Sequence, residues 1–205
     1  MKDGALQLSL FDEKDLAEIV SPDFPVAEML AQVIEELGSR WERAAISTLQ
    51  EHVAAARLAR ALARAADQLP TARTAPLVLL ATPPGETHAL GLALAELCFR
   101  EAGFATVWAG TDVPLTDLER GLSERSVSVL ALSASVVASP ATLAETAARL
   151  GPACAAARVS LILGGKGAWP ELTSGAERAV TVIRTWTGLR TWLQRGAFRL
   201  TSAAQ

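Results

Sequence analysis

From residue 77 onward, short apolar runs of strand length alternate with stretches of helical pattern. Strands are predicted at 77–82, 105–109, 127–133, 158–163 and 179–183, and helices at 89–102, 115–124, 140–150 and around Leu189. A strand that returns to the same sheet through a helix lies parallel to the strand before it. The second part of the chain is therefore predicted to be an α/β, Rossmann-like domain of the flavodoxin-like kind, with a five-stranded parallel sheet.

The first 69 residues contain no convincing strand and are rich in residue types that favour helices. Helices are predicted at 10–20 and from Pro25 through Leu37, where the second either ends at Gly38-Ser39 or runs on past Trp41. A third has a clearer start, because Ser47 followed three residues later by Gln50 has the form of a capping box, and it runs to about residue 68. We therefore place a domain boundary near Pro70, with a helical bundle at 1–70 and the sheet domain at 71–205. A bundle this small is expected to pack on the sheet domain.

The charge and the apolar runs exclude several classes of protein. The 205 residues carry 19 basic and 22 acidic side chains, a formal charge of −3. This balance gives no basic surface for nucleic acid or an anionic membrane. No apolar run approaches the roughly 18 to 20 residues that cross a bilayer. Two distant cysteines fit a reducing compartment. A cytoplasmic protein without direct nucleic-acid or membrane contact is predicted.

The chain has two histidines, and one of them falls in the loop after the first predicted strand. In a doubly wound sheet, ligands bind at the carboxyl ends of the strands, where this loop lies. Glu86, two residues before His88, can hold one ring nitrogen and leave the other free for a metal. Taken alone, this spacing is equally typical of an exposed loop histidine.

Two further motifs follow Glu86-x-His88-x-x-Gly91 along the chain. Forty-one residues separate Gly91 from Ser133, and a glycine pair, Gly164-Gly165, follows the fourth predicted strand. In order and spacing, the three motifs resemble those of cobalamin-binding domains in methionine synthase, in corrinoid carrier proteins and in B12-dependent light sensors. The resemblance covers residues 77 to 195.

The resemblance implies a role for each motif. His88 would be the lower axial ligand of cobalt, in place of the cofactor's own dimethylbenzimidazole base, and Glu86 would orient it. Ser133 would hydrogen-bond the displaced base. Room for the nucleotide tail would come from the small residues Gly91, Gly164 and Gly165.

The expected cofactor-binding set also includes Asp112, Val113 and Ser135, which belong to loops at the same edge of the sheet. The chain departs from the family pattern twice. Glu86 stands where an Asp is usual, and Ser135 stands where the serine motif usually has a Leu.

The second histidine occurs in Trp41-x9-Glu51-His52. On its own, a Glu-His pair early in a helix indicates a solvated face. Together with the motifs above, this pattern resembles the cap of CarH-type adenosylcobalamin photoreceptors, in which the Trp covers the adenosyl group and the Glu-His pair lies near it. Glu42 stands where the well-known regulators have a histidine that takes cobalt after light. This leaves His52 as the candidate upper ligand after light.

The resemblance implies a cobalamin-binding light sensor rather than an enzyme, with adenosylcobalamin as cofactor. The related regulators carry a MerR-type DNA-binding domain, and none is expected here because the predicted bundle begins almost at the first residue. Output would then pass through a homo-oligomer, such as a dimer, or through a partner transcription factor. Some relatives without a DNA-binding domain also bind a bilin such as biliverdin. No residue of this sequence indicates or excludes a bilin. The alternatives are a corrinoid carrier subunit of a methyltransferase and a domain that binds no corrin.

Overall fold

The computed structural model describes residues 34, 39, 43, 46–124, 126–171 and 179–195. The helix predicted at 10–20 and nearly all of the helix predicted from Pro25 lie outside the described residues. The elements are α1 (Thr48–Gln68), β1 (Leu77–Ala81), α2 (Leu90–Glu101), β2 (Ala105–Gly110), α3 (Leu115–Glu124), β3 (Val127–Ser133), α4 (Pro140–Ala157), β4 (Ser160–Gly164), β5 (Val180–Ile183) and α5 (Trp186–Gln194).

The five strands form one parallel sheet in the order β2-β1-β3-β4-β5. This confirms the predicted flavodoxin-like α/β fold. Helices α1, α2 and α5 pack on one face of the sheet, and α3 and α4 pack on the other. The chain order reverses between β1 and β3, so the crevice beyond their carboxyl ends is the expected ligand site.

Helix α1 begins as the capping box predicts. The Ser47 hydroxyl accepts from the Gln50 amide at 3.3 Å, and the Gln50 side chain accepts from the Ser47 amide at 2.8 Å. Leu58 and Leu62 are buried in the same core as Val78 of β1. The last helix of the predicted bundle therefore packs on the sheet domain, as expected for a bundle too small to be stable alone.

Helix α4 corrects one predicted boundary. It was predicted to end at residue 150, yet it continues to Ala157 with Pro152 inside it. Pro152 lacks an amide hydrogen, but Leu150 and Cys154 on either side of it are fully buried, and this burial maintains the helix. The helix ends at Arg158, which is in the left-handed region with φ of 58°. Strand β4 consequently starts at Ser160, two residues later than predicted.

Within the part of the chain that the structure describes, no helix combines the length and the apolar composition that a bilayer requires.

We expect Leu62→Ala to lower the free energy of unfolding by about 2 to 4 kcal/mol. Leu62 is fully buried between α1 and the sheet, so truncation leaves a cavity there. Urea denaturation monitored by circular dichroism measures the change. Leu49→Ala is the matched control on the same helix, because Leu49 is 64% exposed and its truncation should change stability by less than about 0.5 kcal/mol. Equal effects of the two substitutions would show that α1 does not share the core of the sheet domain.

Candidate functional site

The loop after β1 is closed by hydrogen bonds to its own backbone. The hydroxyl of Thr82, which is fully buried, donates to the Glu86 carbonyl at 2.5 Å, and the Glu86 amide donates to the Pro83 carbonyl at 3.1 Å. Thr82 is a site residue that the sequence analysis missed. Its signal was a hydroxyl residue at the end of a buried apolar strand, where a side chain cannot remain unpaired.

Asp112, in the loop after β2, stabilises the loop after β1 through hydrogen bonds. Its carboxylate accepts from the Gly85 amide at 2.6 Å, and its own amide donates to the Glu86 carbonyl and to the Thr82 hydroxyl at 3.0 and 2.9 Å. The amide of Val113 donates to the Thr82 carbonyl at 3.3 Å. Both residues thus support the His88 loop, and a direct contact of either with a cofactor stays a prediction.

Glu86 carries the central charge of the site. Its side chain is only 1% exposed, and its two oxygens accept four hydrogen bonds. One oxygen accepts from the amide and the Nδ1 of His88 at 2.8 and 2.6 Å, and the other accepts from the amide and the hydroxyl of Ser135 at 2.7 and 2.6 Å. Burial raises the pKa of Glu86, but the hydrogen bonds from Ser135 and His88 outweigh it and leave the pKa below its ordinary value. The carboxylate is therefore ionised at neutral pH.

His88 is held by its Nδ1 atom and is otherwise open. Its side chain is 59% exposed, although the carboxylate that it contacts is buried. An ionised carboxylate can only accept, so the Nδ1 of His88 carries the hydrogen. In the neutral imidazole, Nε2 then has a free electron pair and can bind a metal. This geometry fits the arrangement expected of a metal-binding histidine.

The glycines bring three loops into close contact. A Cβ at Gly91 would lie 3.0 Å from the Ser133 hydroxyl oxygen, so the first turn of α2 rests against the end of β3. Gly165 has a φ of +87°, and a Cβ there would overlap the carbonyl oxygen of Ala134. The requirement for glycine at 165 thus has a cause within the protein, namely the approach of the loop after β4 to the loop after β3. The role of Gly91, Gly164 and Gly165 in admitting a nucleotide tail stays a prediction.

The loop after β4 is fixed by two residues that the sequence analysis did not assign to the site. The indole of Trp169 donates to the Gly164 carbonyl at 2.8 Å. The Arg184 guanidinium donates to the carbonyls of Gly167 and Trp169 at 2.7 and 3.2 Å. These bonds join residues from β4 to the end of β5, so sequence spacing gave no signal for them.

Helices α1 and α2 pack against each other. Their carboxyl ends meet at Arg100, whose guanidinium donates to the carbonyls of Ala66 and Leu69 at 3.1 and 2.9 Å, and Leu58 and Leu62 of α1 belong to the same buried core as α2. Helix α1 has 21 residues and α2 has 12, which makes α1 longer by about 13 Å. The buried residues of α1 begin at Leu58, so its first turns contribute no buried residue to this core.

Glu51 and His52 lie in these first turns. The His52 side chain is 71% exposed, and its Nε2 lies 3.7 Å from a carboxylate oxygen of Glu51. His52 is not among the residues in contact with Glu86 or His88. Trp41, the third residue of the predicted cap, lies outside the described residues.

Within the described part of the chain, no three His, Cys, Asp or Glu side chains are grouped so that they could hold a bare metal ion. A metal ion that is already coordinated by a cofactor requires only one ligand from the protein. Among the predicted site residues, His88 has the geometry for that single bond.

No family model matches the sequence. Among curated proteins, the chain is similar to the HTH-type transcriptional repressor CarA of Myxococcus xanthus, with 27% identity over 168 residues. The alignment covers 78% of this chain and 56% of that protein, so the chain spans about half the length of the curated relative that it matches.

Among solved structures, the fold is similar to that of the monomethylamine corrinoid protein of Methanosarcina barkeri. The TM-score is 0.65, and the alignment covers 89% of this chain and 90% of that one at 18% identity. At this identity, the similarity shows a shared fold.

Ser135→Ala is expected to destabilise the protein by about 1.5 to 3 kcal/mol at pH 7, because it removes a hydroxyl donor from a buried carboxylate. The folded-state pKa of Glu86 is lowered, so this contribution is complete above the ordinary value of 4.5 and is lost as the pH falls through the lowered value. Urea denaturation of the ligand-free protein between pH 7 and pH 3.5 measures it.

Ser133→Ala is the control for this prediction, because Ser133 lies two residues away and is not a donor to Glu86. It should leave the stability of the ligand-free protein within about 0.5 kcal/mol of wild type. A Ser135→Ala loss no larger than the control, or one that does not depend on pH, would contradict the role given to the hydroxyl.

Proposed function

We propose that this protein binds cobalamin with His88 as the lower axial ligand of cobalt, and that it serves as an adenosylcobalamin-dependent light sensor. One observation carries the proposal. The exposed imidazole of His88 is fixed through Nδ1 by the buried, ionised Glu86, at the edge of the sheet where the chain order reverses between β1 and β3. The shared fold with a protein whose name identifies it as a corrinoid protein supports the same choice of ligand.

In this proposal each residue at this edge of the sheet has its own role. Nε2 of His88 would bind cobalt, while Glu86 keeps the hydrogen on Nδ1 and fixes the plane of the ring. Ser133 and Gly91, which approach each other closely, would border the displaced base, and the backbone of the glycine pair would border the nucleotide tail. When bound, adenosylcobalamin supplies a cobalt–carbon bond that light can break.

The first turns of α1 support a cap over the upper face. They belong to the longer of the two helices whose carboxyl ends meet at Arg100, and they carry Glu51 and the exposed His52. We infer that they reach past the carboxyl edge of the sheet, which is the edge that carries His88. We infer that Trp41 completes this cap and that His52 becomes available as an upper ligand after light. The residues of the cap would exclude water from the upper face in the dark and move when the adenosyl group leaves.

We infer that the signal leaves through a change of oligomeric state, with a dimer as the simplest form, or through a partner such as a transcription factor. The similarity to a transcriptional repressor favours a regulatory output, although the match spans only part of that protein. A bilin such as biliverdin is a further prediction of the sequence resemblance, to which no described residue is assigned.

A corrinoid carrier subunit of a methyltransferase system is the second candidate. The observation that favours it is the fold match over nine tenths of the monomethylamine corrinoid protein. The upper ligand separates the two candidates. A methyl carrier retains methylcobalamin and is indifferent to adenosylcobalamin, whereas the proposed sensor prefers the adenosyl form.

His88→Ala is expected to weaken cobalamin binding by about tenfold or more, because it removes the one protein ligand proposed for cobalt. Titration of the purified protein with cobalamin, followed by absorbance, gives both the affinity and the spectral mark of a histidine ligand. Thr87→Ala is the matched control in the same exposed loop and should bind as wild type does. An unaltered affinity in His88→Ala would refute the proposed ligand.

Green light should change both the absorbance and the elution volume of the protein reconstituted with adenosylcobalamin in the dark. His52→Ala should retain dark binding but alter the product spectrum, because it removes the candidate upper ligand. Arg60→Ala, an exposed residue two turns further along α1, should respond as wild type does. A spectrum and elution unchanged by light, with methylcobalamin tightly retained, would replace the sensor with the carrier.

A further inference from the structure

A tight turn between β3 and α4 presents two adjacent valines to solvent. The Ala138 amide donates to the Ser135 carbonyl at 3.2 Å, which makes Val136 and Val137 the two central residues of a four-residue turn. Their exposures are 63% and 66%. Four large apolar side chains are exposed in the described part of the chain, and two of them are this pair.

Local structure does not account for valine at either position. The central positions of tight turns favour Gly, Pro, Asn, Asp and Ser, for reasons of backbone geometry or local hydrogen bonding that valine does not meet. Core packing does not account for them either, since both side chains are about two-thirds exposed. Single apolar residues on a surface are ordinary, but an adjacent pair on a turn at a ligand edge indicates a contact surface.

The turn is rigid and lies beside His88. Before it, Ala134 exchanges hydrogen bonds with the loop after β4, donating to the Gly164 carbonyl at 3.1 Å and accepting from the Gly167 amide at 2.9 Å. At its start, Ser135 bonds the Glu86 carboxylate, and its hydroxyl lies 3.4 Å from His88 Nδ1. After it, the Ser139 hydroxyl caps α4. The valines are therefore exposed on a fixed turn whose first residue, Ser135, contacts the His88 ring.

We propose that the Val136–Val137 turn is an apolar contact surface for the face of the corrin ring that His88 binds. This inference rests on the proposed function. A corrin is a broad, nearly flat macrocycle with apolar faces and amide groups at its rim. A ring held at its centre by one histidine spreads sideways over the residues around that histidine, and the turn that begins at Ser135 is one of these neighbours. Burying two valines there removes apolar surface from water.

The double substitution V136S/V137S tests this surface. Serine is favoured in turns and both positions are exposed, so the melting temperature of the ligand-free protein should not fall. The affinity for cobalamin should weaken by about tenfold, which corresponds to about 1.4 kcal/mol. The affinity for cobinamide, which has the corrin ring without the nucleotide tail, should weaken by the same factor.

Leu49→Ser is the matched control, because Leu49 is 64% exposed but lies on α1. It should leave both affinities unchanged. Hydrogen exchange gives a second readout, in which residues 134 to 139 of the wild-type protein should become protected when cobinamide is added.

Two results would overturn the inference while leaving the proposed function intact. One is wild-type affinity of V136S/V137S for both ligands. The other is a change in the elution volume of the ligand-free double variant without a change in affinity, which would make the turn a contact between protein chains. If the wild-type protein binds neither cobalamin nor cobinamide, the proposed function itself fails and this inference fails with it.

Discussion

The buried carboxylate of Glu86 is the constraint on which the rest of the site depends. An ionised carboxylate withdrawn from water costs several kcal/mol unless donors replace its hydration. Here four donors do so, two from the loop after β1 and two from the loop after β3. Because these loops follow the two strands between which the chain order reverses, one charge fixes both sides of the ligand crevice. The orientation of His88 follows from this arrangement, since its Nδ1 is one of the four required donors.

The same constraint accounts for the two positions at which the chain differs from the cobalamin-binding pattern that its sequence resembles. Glu86 is one methylene longer than the usual Asp, and Ser135 replaces the usual Leu. In the structure these two residues are in contact, with the Ser135 hydroxyl and amide both donating to one oxygen of Glu86. A leucine at 135 would retain only the amide donor, and the buried oxygen would lose half of its partners. The departures are thus a matched pair, each of which makes the other acceptable.

Most of the fold, but only part of the site, could be predicted from the sequence. Alternating apolar runs and a capping box are local signals, and the five strands and α1 follow from them. The end of α4 did not, because the Gly-Pro step at 151–152 is a strong local stop signal that burial of Leu150 and Cys154 overrides. The bonds between the loops of the site could not be predicted, because they join residues 27 to 49 positions apart along the chain. The spacing predicted the hydrogen bond between Glu86 and His88, but it did not predict the hydrogen bonds between Ser135 and Glu86.

Packing also limits how a cap on α1 can move relative to His88. Helix α2 begins two residues after His88, and α1 shares a continuous buried core with it through Leu58 and Leu62. Glu51 and His52, on α1, are therefore attached to the site through the packing of that helix. A displacement of Glu51 and His52 as a rigid part of α1 must slide or tilt α1 on α2, which disturbs close-packed side chains and favours discrete positions over continuous ones. If the first turns of α1 bend instead, the core stays intact and the change remains local. If the proposed light response changes the oligomeric state, movement of α1 relative to α2 is therefore expected to have a large effect on assembly, and movement of the exposed turns a small one.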